Sequence, residues 1–127
     1  MNMSIKTIQS KQSAPPVGPY SPALKVNNMV FISGQIPLQA DGQMVTNDFE
    51  QETRQVLNNI QALLDEEGLD FSNVVKIGIF TTDLSQFELI NQVYSEFVKA
   101  PFPARAAVEV SALPKGARIE MEAICVC

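Results

Sequence analysis

The chain has 127 residues, 46% of them apolar and 18% charged, with a net charge of −5 and no histidine. That length bounds it to one folding unit, residues 1–127, large enough to bury a core without disulfide or metal staples. An acidic balance without a basic run argues against nucleic acid as a partner, and the lack of histidine removes Ser-His-Asp and Cys-His schemes along with the commonest metal ligand.

The opening stretch MNMSIKTIQSKQSAPP is polar and lacks the apolar core of a secretory leader, and no apolar run is long enough to span a bilayer. A cytoplasmic protein with no membrane partner is expected. Next, APPVGPYSPA is a Pro/Gly-rich loop, stiff enough to hold Tyr20 in place. LKV and MVFIS flank Asn27 and Asn28, residues that tolerate the positive φ of a tight hairpin turn. The single glycine in ISGQIP, Gly34, marks a bulge or a close approach, and its backbone could meet a ligand.

After a second turn at ADGQ, Asn47 or Asp48 can cap a helix whose first turn carries Glu50 and Glu52. Phe49, Thr53, Val56, Leu57, Ile60, Leu63 and Leu64 form its apolar stripe to about Glu67, and Gly68 stands where a terminating glycine belongs. VVKIGIFTT, residues 74–82, is β-branched and nearly continuously apolar, which predicts an interior strand. Ser85 with Glu88 matches a capping box for a second helix, and Leu84 can staple onto Leu89. Phe87, Ile90, Tyr94 and Phe97 make its stripe, which Pro101 and Pro103 close off. ARAAVEV and RIEMEAICV follow as strands joined by SALPKGA, ending in Cys125 and Cys127, which read as free structural thiols rather than metal ligands.

This order predicts an α+β fold: a single mixed β-sheet with two helices packed on one face. The helical crossovers are expected to join neighbouring parallel strands. The bare face of so short a chain is expected to close against other copies, most simply in a ring. In PARAAVEV, Ala104, Ala106, Val108 and Val110 form one row and Arg105, Ala107 and Glu109 the other. Helices packing on the Ala106/Val108/Val110 row would leave Arg105 on the opposite face, toward a boundary with another copy. Pattern alone allows Arg105 an exposed cross-strand ion pair worth under about 1 kcal/mol. Its planar fork would equally suit the carboxylate of a small molecule. Likewise Glu120 and Glu122 can be solvated strand residues, Asn91 an exposed amide and Tyr94 core. No phosphate loop or dinucleotide fingerprint is present.

Taken together, GPYSPA, FISGQIP, INQVYSEF and FPARAAVEVSALPKGARIEMEA resemble the RidA/YjgF family of enamine/imine deaminases over nearly the whole chain. The resemblance implies a chorismate-mutase-like domain assembled as a homotrimer, with active sites in the clefts between subunits. It implies hydrolysis of 2-aminoacrylate and 2-aminocrotonate, or their 2-imino tautomers, to 2-oxo acids and ammonia, with no cofactor. By position, the carboxylate-binding arginine falls on Arg105 and the water-holding glutamate on Glu120. The pocket aromatic falls on Tyr20, the strand-end polar pair on Ser33 and Gly34, and the helix amide on Asn91. Backbone groups around Ala107 would steady the imine nitrogen; many relatives carry cysteine there, and alanine excludes thiol chemistry. The VKAPFPAR connection is short compared with some members. Two other readings compete: a regulatory trimer that binds a 2-oxo acid without turnover, and an RNA-cleaving translation inhibitor, against which acidity and the lack of histidine count.

Overall fold

The computed structural model describes residues 4–127, so the first three residues of the polar N-terminal stretch lie outside it. Asn27 takes a φ of 55°, turning β2 (Ala23–Val26) back onto β3 (Met29–Gln35) in antiparallel register, Ala23 opposite Ile32 and Val26 opposite Met29. A short strand, β1 (Ile5–Ile8), pairs with β2 and adds an edge that the polar sequence did not announce.

Asp48 caps α1 (Phe49–Glu66) by accepting from the Gln51 amide, and Gly68 ends it with a φ of 66° that a side chain would resist. Every residue of the expected stripe is buried. Glu52 is buried too, because the Arg118 guanidinium forks onto its carboxylate.

Asp83 rather than Ser85 begins the next helical stretch. Its carboxylate accepts from the Ser85 amide and starts a 3-10 turn that runs into α2 (Phe87–Tyr94). An aspartate carries a fixed charge to those amides where the Ser85 hydroxyl offers only a dipole. The helix stops at Tyr94, before the prolines, and Phe97 packs edge-on against Phe71 beyond it.

With β4 (Val74–Thr81), β5 (Ala104–Glu109) and β6 (Ile119–Val126), the chain forms one six-stranded sheet in the order β1-β2-β3-β6-β4-β5. As expected, β4 is interior, parallel to β5 and antiparallel to β6. The α1 crossover departs from expectation: β3 and β4 are not neighbours, because β6 inserts between them antiparallel to both. Its buried Ile119, Met121, Ala123 and Cys125 pack into the core beneath α1. Both helices cover this face, together with Ile32, Ile77 and Ile79. Phe31 and Val108 remain more than two-fifths exposed. No helix among the described residues is long and apolar enough to cross a membrane.

The two rows of β5 lie opposite to the sequence expectation. Arg105, Ala107 and Glu109 face the helices: Ala107 packs on the core, Arg105 lies over rings of α2, and Glu109 accepts from the Leu84 amide at 2.9 Å. Ala106 and Val108 face the open side. Helix α2 meets this edge strand with aromatic rings and an amide, which suit a guanidinium better than an alanine methyl.

Candidate functional site

The candidate residues divide between the two faces of the sheet. On the helix side stands Arg105. Its guanidinium carbon lies 5.3 Å from the Phe87 ring centroid and 5.0 Å from that of Tyr94, and its Nη1 donates to Asn91 Oδ1 at 2.7 Å. Phe87, Asn91 and Tyr94 are four and three residues apart, so one face of α2 presents all of them. Arg54 pairs with Glu50 and Glu96, and Arg118 with Glu52. Arg105 has no carboxylate partner among the described residues, so the cross-strand ion pair that its pattern allowed does not form.

Ala107 neighbours it on β5, the outermost strand. Since the Val110 amide donates to Thr81 O, backbone groups of alternate residues point toward β4, and those of Arg105, Ala107 and Glu109 point to the free edge.

The open face holds Glu120, Tyr20, Ser33 and Gly34. Glu120 is opposite Phe80 on β4, while Arg105 is opposite Ile77, one pleat of the other parity. One chain therefore does not bring Arg105 and Glu120 to a common point. Burial lifts the Glu120 carboxyl above the ordinary glutamate range, and the charge of Glu122 adds to the lift. Space for this carboxylate comes from Gly34, in a bulge where β3 spends one extra residue against β6. A Cβ at Gly34 would sit 2.8 Å from Glu120 Cδ. Glu122 similarly lies over Gly78.

Tyr20, Phe31, Ser33, Lys76, Gly78 and Glu122 line a groove of about 620 Å³ on this face. The Tyr20 hydroxyl accepts from the Val17 amide at 3.3 Å, which braces the ring within its proline-rich loop. Ser33 donates its hydroxyl hydrogen to Ser21 O at 2.6 Å, so it ties that loop to β3 and keeps only acceptor capacity for a ligand. The pairing of Phe87 and Tyr94 with the guanidinium was not foreseen from sequence, where both were assigned only to an apolar stripe; their spacing around Asn91 was the available signal.

The model of the family described as Endoribonuclease L-PSP matches residues 11–127. The chain belongs to this family, known also as RidA/YjgF. A RutC family protein of Pyrococcus abyssi is 45% identical over 96% of this chain and 97% of its own. The human protein named 2-iminobutanoate/2-iminopropanoate deaminase is 41% identical, covering 99% of this chain and 93% of its own. Among solved structures, E. coli TdcF with bound serine superposes with a TM-score of 0.91 at 36% identity, covering 96% of this chain and 98% of the other. The six-stranded mixed sheet with its two helices is thus the RidA/YjgF fold.

Proposed function

We propose that this chain hydrolyses small 2-imino acids and their enamine tautomers, 2-aminoacrylate/2-iminopropanoate and 2-aminocrotonate/2-iminobutanoate, to 2-oxo acids and ammonia. One observation carries the reading: a guanidinium flanked by two rings and an amide, with no carboxylate of its own among the described residues. A fixed fork of this kind binds a substrate carboxylate through two hydrogen bonds. Kinship with proteins named as imine deaminases supports the choice of substrate.

A protonated imine is already electrophilic, so catalysis reduces to gripping the acid, orienting water and moving protons. Arg105 holds the carboxylate. Glu120, whose raised proton affinity suits an acceptor, takes a proton from water as the oxygen bonds to the imine carbon. That proton passes to the amino nitrogen of the carbinolamine. The C–N bond breaks, ammonia leaves, and loss of the hydroxyl proton yields the 2-oxo acid. Backbone groups of Ala107 at the free edge steady the nitrogen. Because Arg105 and Glu120 stand on opposite faces, the working site takes Arg105 from one copy and Glu120 from its neighbour in a homotrimer.

The test is a coupled assay in which threonine dehydratase generates 2-iminobutanoate and semicarbazide competes for it. The protein should accelerate 2-oxobutanoate formation. Arg105→Ala should abolish the acceleration, and Arg105→Lys should recover little because the fork is lost. No acceleration over buffer would leave the non-catalytic 2-oxo-acid sensor; unchanged kinetics in both variants would remove Arg105 from the site. An endoribonuclease reading draws only on the family's description, while the net charge of −5 and the lack of histidine oppose it.

A further inference from the structure

We propose that Asn91 and the Phe87 and Tyr94 rings are positioning residues for substrate capture. They act through Arg105 by holding its guanidinium in one plane before the substrate arrives. This rests on the reading of Arg105 as the carboxylate anchor.

A guanidinium carries five N–H donors in a planar fork and can rotate about a flexible stem. Here each degree of freedom meets a restraint. The guanidinium carbon lies over the Phe87 and Tyr94 rings, 5.3 and 5.0 Å from their centroids, and the attraction of the cation to two ring faces restrains its displacement. Asn91 Oδ1 takes one N–H at 2.7 Å, which disfavours rotation in the plane. The remaining donors have no acceptor among the described residues, so the fork keeps an in-plane edge for a carboxylate.

The choice of an amide is informative. A carboxylate at position 91 would satisfy the guanidinium and compete with the substrate, whereas a neutral carbonyl orients the cation and leaves its charge uncompensated. With its oxygen against Arg105, Asn91 works on the arginine. Phe87 and Tyr94 are supported in turn: Tyr94 is 6% exposed in the core, and the 3-10 turn before Phe87 is tied to β5 by the Leu84 amide on Glu109. The Tyr94 hydroxyl is buried with no partner among the described residues, so the ring rather than the hydroxyl accounts for Tyr94 at this point.

The test uses the full-length protein and two readouts, steady-state imine hydrolysis and calorimetric binding of 2-oxobutanoate, an unreactive carboxylate. Asn91→Ala, on a partly exposed helix position, should fold normally. It should raise KM for the imine and Kd for 2-oxobutanoate on the order of tenfold while kcat stays within about threefold, the loss expected when a hydrogen bond orienting a charged group is removed. Asn91→Asp should raise both further. Phe87→Leu should behave like Asn91→Ala. An active wild type in which Arg105→Ala loses both readouts but Asn91→Ala and Phe87→Leu leave KM and Kd unchanged would overturn the positioning role and spare the anchor. A wild type inactive on the imine would overturn the deaminase reading alone, since 2-oxobutanoate binding still reports the clamp. A loss of kcat in Asn91→Ala with KM and Kd unchanged would contradict positioning.

Discussion

Arg105 and Glu120 project from opposite faces of one sheet, although their strands are separated by β4 alone. Strand parity dictates this: Arg105 is level with Ile77, which points into the core, and Glu120 with Phe80, which points away. Neither side chain can cross the sheet to meet the other, so in the proposed mechanism each supplies half of a site.

Gly34 sets where the Glu120 carboxylate sits. Its backbone is not in the left-handed region, so alanine fits the conformation, but the added methyl would overlap Glu120 Cδ at 2.8 Å and both carboxylate oxygens at 3.0 and 3.1 Å. The carboxylate is the mobile partner and moves first. Gly34→Ala should keep the fold by circular dichroism and lower kcat on the order of tenfold or more, as expected when a proton acceptor is displaced. Gly78→Ala crowds Glu122 instead, at 3.2 Å, and should cost kcat less.

Glu120 must be ionised to accept a proton, and burial, then the charge of Glu122, raises its pKa. Activity should therefore fall on acidification through a value above that of an ordinary glutamate. Glu122→Gln removes a charge that opposes ionisation, so the acidic limb of kcat/KM should move to lower pH. A group with its folded pKa raised favours folding while protonated, and that stability is lost as pH rises through the folded value. Glu120→Gln should accordingly abolish turnover while raising the melting temperature at neutral pH by about 1–3 °C, a small gain because Glu120 is only half-buried.

The proposed mechanism uses no thiol. Cys125 is buried in the core and its thiol is pushed up to about 12, so it is inert, whereas Cys127 is exposed. Iodoacetamide should label Cys127, leave Cys125 untouched in the native protein, and change the rate of imine hydrolysis by less than about twofold. Ala107→Cys should likewise retain activity, because the proposed mechanism uses only the backbone of that position, which points to the free edge of β5.

The elements most legible in the sequence were those with strong local signals: the α1 stripe, a cap at Asn47 or Asp48, the Asn27–Asn28 turn and the continuous apolar character of β4. Legibility ended where pairing is long-range or side chains are small. Nothing local in RIEMEAICV says that β6 inserts between β3 and β4. Ile5–Ile8 forms a short edge strand whose Ile5 is 59% exposed, so no apolar run marks it. In ARAAVE both rows are small, and the charge on Arg105 suggested the open face. The rings of Phe87 and Tyr94 decided otherwise, a fact set by the docking of α2. The candidate residues were recognisable as a set by family resemblance; their division between two faces required the register.

Subunit complementation tests the central claim most directly. Arg105→Ala and Glu120→Gln proteins, each inactive, are mixed in equal amounts, dissociated and reassembled. If every site takes one residue from each of two neighbouring copies, random mixing gives a site with both intact residues about one time in four, so about a quarter of the wild-type rate should return. A rate no higher than that of the separate variants, with subunit exchange demonstrated by labelled chains, would contradict a site shared between copies.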